Sequence, residues 1–106
     1  MKLKASVLTD ALTDKEGFDI VMKMQPWRYT LKEGLPTYQP GEEIGMFAEV
    51  AEKTEPRLVA MNKDGTAAGF RYEQYTAALT AAFKYLKADN DNLRSKVEGM
   101  KRANAR

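Results

Sequence analysis

The sequence of 106 residues contains no cysteine and no histidine. Without cysteine the chain cannot form disulfide bonds, and without both residue types it lacks the usual ligands of zinc, haem and iron–sulfur centres. The absence of histidine also removes the most frequent general base of nucleophilic catalysis. We therefore predict that the protein has no metal site and no cofactor, and that it works in a reducing compartment such as the cytoplasm.

Long apolar runs are absent as well. None approaches the roughly 20 residues that a helix needs to cross a bilayer. Residues 1–4 are also not followed by the apolar core of a signal peptide. We therefore predict no membrane association.

Charge is nearly balanced, at +2 overall. The last twelve residues nevertheless hold a single acid, Glu98, and four cations: Lys96, Lys101, Arg102 and Arg106. This tail is compatible with a nucleic-acid patch or with a solvated helix end. We favour the helix end, because cations at a helix C-terminus complement the helix dipole. No nucleic-acid partner is predicted.

Hydrophobic residues make up 43% of the chain and charged residues 30%. These values are typical of one globular domain rather than of a disordered chain. A domain of this length buries only a modest core. A long helix that left this core would need a partner to cover its apolar face.

The first part of the chain predicts helix followed by strand. Apolar residues recur at near-helical spacing over residues 7–24, where Gly17 weakens the middle and Pro26 follows the end. This pattern predicts one helix or two short ones. Aromatic and polar residues alternate over 27–31, as in a strand, and the two prolines and two glycines of 32–43 predict a loop.

The middle of the chain predicts short strands. Residues 44–53 begin with the alternation of a strand and continue with helical spacing, until Pro56 closes the segment. Two extended runs, 57–61 and 67–71, then flank an Asp-Gly pair, which is typical of a hairpin turn.

From Tyr72 onward the composition favours a single long helix, with no proline and one glycine. Its apolar residues repeat every seven positions, which is the pattern of a coiled coil. The d positions are Leu79, Leu86, Leu93 and Met100, and the a positions are Thr76, Phe83, Asn90, Val97 and Asn104. We call these nine residues the heptad stripe. The predicted fold is α+β, with a small body over 1–71 and a coiled-coil helix over 72–106.

Asn90 interrupts the apolar repeat. A buried amide at an a position finds a partner only when the facing helices are parallel and in register, so Asn90 is expected to fix their alignment at some cost in stability. Asp89 at g and Arg94 at the next e are spaced to pair between parallel neighbours. The alternative is a solvated polar face on which Asn90 has no such role. The stripe alone leaves dimer and trimer open.

Three stretches form a pattern that extends over almost the whole chain from about residue 18: "MKMQPWRY", "EIGMFAEVAEKTEPRLV" and "NKDGTAAGFRYEQYTAALTAAFKYLKADNDNL". Together they resemble the C-terminal intramolecular chaperone domain of bacteriophage tail spikes and tail fibres, the peptidase S74 family typified by endosialidases. No single stretch is specific, but their order and spacing are. The matching positions are Pro26, Tyr29, Gly45, Ala48, Glu49, Val50, Pro56, Leu58, Val59, Asp64, Gly65, Tyr72, Tyr75 and the run from Leu86 to Leu93.

The resemblance implies a homotrimer that aligns three chains, helps the preceding β-rich fibre to fold, and is released by self-cleavage. It implies a parallel trimeric coiled coil after the α+β body, with the fibre chain as the other partner. It would place the domain in the cytoplasm of the infected bacterium and outside the mature virion. The expected oligomer contacts are Tyr72, Leu79, Phe83, Leu86, Asn90, Leu93, Val97 and Met100.

Members of the family cut the bond before a serine at the start of the domain, with that serine as nucleophile and a nearby lysine as base. A desolvated lysine can act as a base because burial lowers its pKa. The pair Leu3-Lys4 aligns with the family's Leu-Lys, which makes Lys4 the candidate base and puts the serine before Met1. Neither Ser6 nor Ser95 has the required position. We therefore expect an inactive chain that is a released product, a trimmed version or a separately translated chaperone.

Three other functions remain as alternatives. A self-cleaving protease needs a serine outside this chain, and a basic-zipper DNA-binding protein needs a basic helix where "EQYTAALTAAF" stands. A generic coiled-coil adaptor would carry the same stripe but would not need a packed body that folds with the helix. The aromatic residues Trp27, Tyr72, Tyr75 and Phe83 are expected to be core or trimer contacts rather than ligand contacts.

Overall fold

The computed structural model describes residues 9–36 and 38–105. Within these residues the chain forms three helices, two antiparallel strand pairs and one short 3-10 helix, and the α+β class predicted from the sequence is confirmed. In chain order the elements are α1 (Asp14–Met22), β1 (Trp27–Tyr29), β2 (Glu43–Gly45), α2 (Ala48–Ala51), the 3-10 helix (Pro56–Leu58), β3 (Val59–Met61), β4 (Ala67–Phe70) and α3 (Tyr72–Asn104).

Helix α1 begins later than the apolar spacing of residues 7–24 predicts. The Thr13 hydroxyl accepts a hydrogen bond from the Glu16 amide at 3.1 Å, and the Glu16 carboxylate accepts one from the Thr13 amide at 3.0 Å. This capping box satisfies two amides of the first turn and fixes the start of the helix at Asp14. The predicted helix is therefore wrong over residues 9–13, while residues 7 and 8 lie outside the described part of the chain.

Strands lie where the sequence predicts them, but β1 ends at Tyr29 rather than at residue 31, and residues 57 and 58, predicted as strand, belong to the 3-10 helix. Strands β1 and β2 pair around the loop, with Trp27 opposite Gly45, and α2 follows β2 as the change of spacing over 44–53 predicted. Strands β3 and β4 form a hairpin whose turn contains Gly65 at φ +88°. The Asp64 carboxylate accepts hydrogen bonds from the Thr66 amide at 3.0 Å and the Thr66 hydroxyl at 2.6 Å, which stabilise this turn.

The core is small because it is built largely from alanine. One cluster contains Ile20, Leu58 and Ala78, and a second contains Ala48, Ala51 and Val59. Among the described residues, no large side chain is fully buried. Tight helix contact takes the place of bulky side chains, since Gly17 of α1 lies against Ala78 and Ala81 of α3.

Helix α3 is longer than the body that it supports. Its 33 residues correspond to about 50 Å, and its buried residues, Ala78, Ala81 and Ala82, all lie in its first third. From Leu86 to Met100 every residue except Gly99 is exposed. The radius of gyration is 20.0 Å, whereas a compact chain of this length has a value of about 13 Å. The second half of α3 therefore extends beyond the body.

Candidate functional site

The apolar members of the heptad stripe form the main candidate interaction surface. They are between 41 and 71% exposed, although each is a large hydrophobic side chain: Leu79, Phe83, Leu86, Leu93, Val97 and Met100. All six lie in one continuous helix, so the seven-residue spacing places them on one face. Contiguous exposed apolar surface of this kind marks an interaction site in soluble proteins.

Asn90 lies within this surface and is exposed, as are the charged residues Asp89 and Arg94 beside it. On the flank of the stripe formed by e positions, Lys87 forms an ion pair with Asp91 of the next turn at 2.6 Å. Both partners keep more than half of their side-chain surface exposed. Such an exposed pair adds little stability, and its two exposed side chains leave this flank accessible to a neighbouring molecule.

The other flank of the stripe carries α1. Gly17 contacts Ala78 and Ala81, and the ring of Phe18 lies 4.6 Å from that of Tyr85. The α3 residues Ala78, Ala81 and Tyr85 occupy c and f positions. Around the helix, these positions follow g on the side of the stripe where the d residues lie. Helix α1 therefore runs beside the stripe without covering it. We call the apolar depression between them the α1–α3 groove; it is lined by Phe18, Val21, Met22, Leu79, Ala82, Phe83 and Leu86.

Two of the three motif tyrosines, Tyr72 and Tyr75, pack within the chain. The Tyr72 hydroxyl accepts a hydrogen bond from the Met46 amide at 3.0 Å, and its ring lies 4.8 Å from that of Phe70. Tyr75 is half-buried against Phe70, and this burial raises the pKa of its hydroxyl. Tyr72 thus joins the start of α3 to the end of β2, and its predicted contact with another protomer stays a prediction.

Several other motif positions meet around the same corner. A Cβ on Gly45 would lie 3.1 Å from the Tyr72 hydroxyl and 3.5 Å from the Tyr29 ring, so a side chain at this position would force the Tyr72 hydroxyl to shift. The Tyr29 ring in turn lies 5.2 Å from that of Phe47. These motif positions therefore form a packing corner between the first strand pair and α3.

The remaining motif residues are spread over the body. Ala48 is buried and Pro56 opens the 3-10 helix, whereas Gly65 occupies the β3–β4 turn. Glu49 and Val50 are exposed on α2, and Pro26 is exposed just before β1. Of the other aromatic residues, Trp27 is 44% exposed.

No model of a known protein family matches the chain, and no curated protein matches it in sequence. Within residues 9–36 and 38–105, no helix is both long enough and apolar enough to cross a membrane.

Sequence reasoning missed one buried charge. The Glu55 carboxylate is almost fully buried and accepts hydrogen bonds from the Arg57 guanidinium and, at 3.4 Å, from the Lys23 ammonium. Chiefly because of the Arg57 hydrogen bond, the pKa of Glu55 lies below its ordinary value. This carboxylate ties the end of α1 to the 3-10 helix. A glutamate before a proline carries no sequence signal for such a role.

The predicted cleavage residues are only partly described. Lys4 and Ser6 lie outside the described residues, so the assignment of Lys4 as a dyad relic stays a prediction. Ser95 lies exposed in the extended half of α3, on a helical turn that also carries charged residues.

Proposed function

We propose that this chain is an intramolecular chaperone domain of the kind found at the C-termini of phage tail spikes and tail fibres. It forms a parallel homotrimer through α3 and thereby aligns the three fibre chains that it serves. The observation that carries this proposal is the heptad stripe, whose six large apolar side chains are 41 to 71% exposed on a helix that extends beyond its own body.

The extended half of α3 supports self-association. Most of the stability of a helix in a protein comes from packing of its apolar face rather than from helix propensity, because helix formation is cooperative and its nucleus is costly. Packing of a and d side chains between helices provides the missing stability in a coiled coil. A second and third copy of this chain carry the complementary stripe at the same spacing, and Asn90 favours their parallel alignment.

The packing of the body supports a chaperone rather than a generic adaptor. Helix α1 rests on Ala78 and Ala81 of α3, and Leu58 of the 3-10 helix packs in the same cluster as Ala78. The first third of α3 is thus part of the body's core as well as part of the stripe. Assembly of three helices therefore positions three bodies, and with them the ends of three attached chains.

Sedimentation equilibrium of the purified chain tests the trimer. A mass three times that of the chain, 11.9 kDa, is expected at micromolar concentration. A monomer at that concentration would contradict the proposal, and a dimer would contradict its stoichiometry.

Client folding needs a second experiment. The chain is fused to a β-rich phage fibre fragment whose own C-terminal chaperone domain has been removed, and a plain trimeric zipper is fused to the same fragment as control. We expect the detergent-resistant fibre trimer with this chain and little of it with the zipper. Equal yields from both fusions would favour the generic adaptor instead.

Self-cleavage is proposed only for a precursor that supplies a serine before Met1. The purified chain should cut neither itself nor added peptides, whereas such a precursor should release the domain, in the cytoplasm of the infected bacterium. Replacement of Lys4 by alanine should slow release without abolishing trimers. Trimming of the purified chain near Ser6, seen by intact mass, would contradict this assignment.

A further inference from the structure

The α1–α3 groove is an apolar surface that the single chain leaves open. It encloses about 270 Å³. Met22 on its α1 side is 66% exposed and Phe83 on its α3 side is 71% exposed. Phe18 and Val21 of α1 are half-buried at its floor. The groove therefore combines two exposed anchors with a partly formed apolar base.

The groove is continuous with the heptad stripe. Leu79, Phe83 and Leu86 belong to both surfaces, as successive d, a and d positions. Whatever packs on the stripe at this level must also approach the groove. The occupant most consistent with this geometry is a second copy of the same helix, because its side chains repeat with the spacing of the stripe.

The two flanks of α3 are different, and this difference sets the arrangement. Helix α1 and Ala82, at a g position, lie on one flank, while Lys87, at an e position, lies exposed on the other. In a parallel coiled coil, the g flank of one helix faces the e flank of its neighbour. In a closed threefold ring, the open e flank of each copy therefore meets the α1 flank of the next.

We propose that α1 is part of the trimer interface, and that the α3 helix of the neighbouring copy packs into the α1–α3 groove over Met22. The e-position Lys87 of that neighbour then lies at the mouth of the groove, with its aliphatic stem against apolar surface and its charge in water. This inference rests on the proposed trimer and adds to it: the interface is made by two helices of each chain rather than one.

The first test exchanges Met22 for glutamine, which keeps the length of the side chain and the charge of the protein. Met61 on β3 is 51% exposed and does not line the groove, so Met61→Gln is the matched control. Burial of an amide without a partner should raise the concentration for half-dissociation of the trimer by about tenfold or more in Met22→Gln. The concentration for half-dissociation of Met61→Gln should equal that of the parent chain. If the two variants have the same concentration for half-dissociation, the proposal is overturned.

The second test uses the absence of cysteine from the chain. Chains with Met22→Cys and size-tagged chains with Lys87→Cys are unfolded, mixed, refolded together and oxidised. Any disulfide between the two kinds of chain joins different molecules. As control, Ala88→Cys replaces Lys87→Cys, because Ala88 is exposed at an f position that faces away from the stripe.

We expect mixed disulfides for the pair of positions 22 and 87 and few for 22 and 88. A trimer by sedimentation that gives no preference between the two pairs would overturn the role of α1 and leave the trimer of α3 standing. The role of α1 would also be overturned if, in the trimer, a cysteine at position 22 reacted with maleimide as fast as one at position 61. The groove would then be uncovered in the trimer and free for a different partner. A monomer would overturn both proposals.

Discussion

Gly17 of α1 lies directly against Ala81 of α3, so that a methyl group added to Gly17 would overlap the Cβ of Ala81 and lie 2.8 Å from the Ala78 carbonyl oxygen. Helix contact at this distance is possible only for the smallest side chains. The glycine that weakens the helical pattern in the sequence is thus the residue that allows α1 to dock. The close approach of α1 to α3, and with it the shape of the α1–α3 groove, requires a glycine at this contact.

Replacement of Gly17 by alanine should destabilise the body. Overpacking at such a contact costs about 1–3 kcal/mol, which outweighs the gain in helix propensity of up to about 1 kcal/mol. The control is Gly99→Ala in α3, where a Cβ meets no atom within 4 Å, so only the gain in propensity is expected. Urea unfolding followed by circular dichroism measures both. A Gly17→Ala chain as stable as the parent would show that the helices can separate without loss.

Replacement of Leu86 or Leu93 by alanine should weaken the trimer. Each change removes a large apolar side chain from every copy, at about 2–5 kcal/mol per buried site. Leu93 lies in the extended half of α3, so Leu93→Ala should dissociate the oligomer before the body unfolds. Sedimentation and near-ultraviolet circular dichroism at the same concentration separate these two events. An unchanged mass for both variants would contradict the assignment of the stripe.

Replacement of Asn90 by leucine or isoleucine should raise the melting temperature. An amide that must be buried is then exchanged for an apolar group of similar volume, while the alignment that it enforced is lost. Register or oligomer number should therefore loosen, which disulfide mapping between single-cysteine variants would reveal. If both stability and oligomeric state stay as in the parent, Asn90 faces solvent, and the proposed pair of Asp89 and Arg94 fails with it.

Glu55 should make the body sensitive to acid. Its pKa is held below the ordinary glutamate value of 4.5, so its ion pairs contribute their full stability above that pH. The contribution is lost as the pH falls through the lowered pKa of the folded state. Glu55→Gln should cost about 1 kcal/mol at pH 7, a modest value because Lys23 and Arg57 are themselves exposed. Below the lowered pKa the two chains should converge; a constant difference at every pH would contradict this assignment.

The elements with strong local signals could be predicted from the sequence. The long helix from Tyr72 follows from composition and a seven-residue repeat, and the β3–β4 turn follows from the Asp-Gly pair, because both signals act within a few residues of the chain. The late start of α1 could have been found from Thr13 and Glu16, since a capping box is visible as a Thr-x-x-Glu spacing. The apolar spacing upstream of Thr13 predicts an earlier start, which is wrong.

The contacts between distant segments could not be predicted in the same way. The hydrogen bond from the Met46 amide to Tyr72 joins residues that are 26 positions apart. The one from Lys23 to Glu55 joins residues that are 32 positions apart, and no periodic pattern indicates that Glu55 is buried. The position of α1 beside the stripe depends on which face of α3 accepts Gly17. Periodicity located the face of α3 that carries the stripe, but it carried no information about what lies on the flanks.

Because the first third of α3 belongs both to the alanine-rich core and to the stripe, folding of the body and association of chains are governed by mass action in the proposed trimer. Stability should rise with protein concentration. Three domains tethered to one growing fibre experience a high effective concentration of each other, whereas a domain cut loose and diluted does not. Release would therefore loosen the very assembly that the tether had promoted.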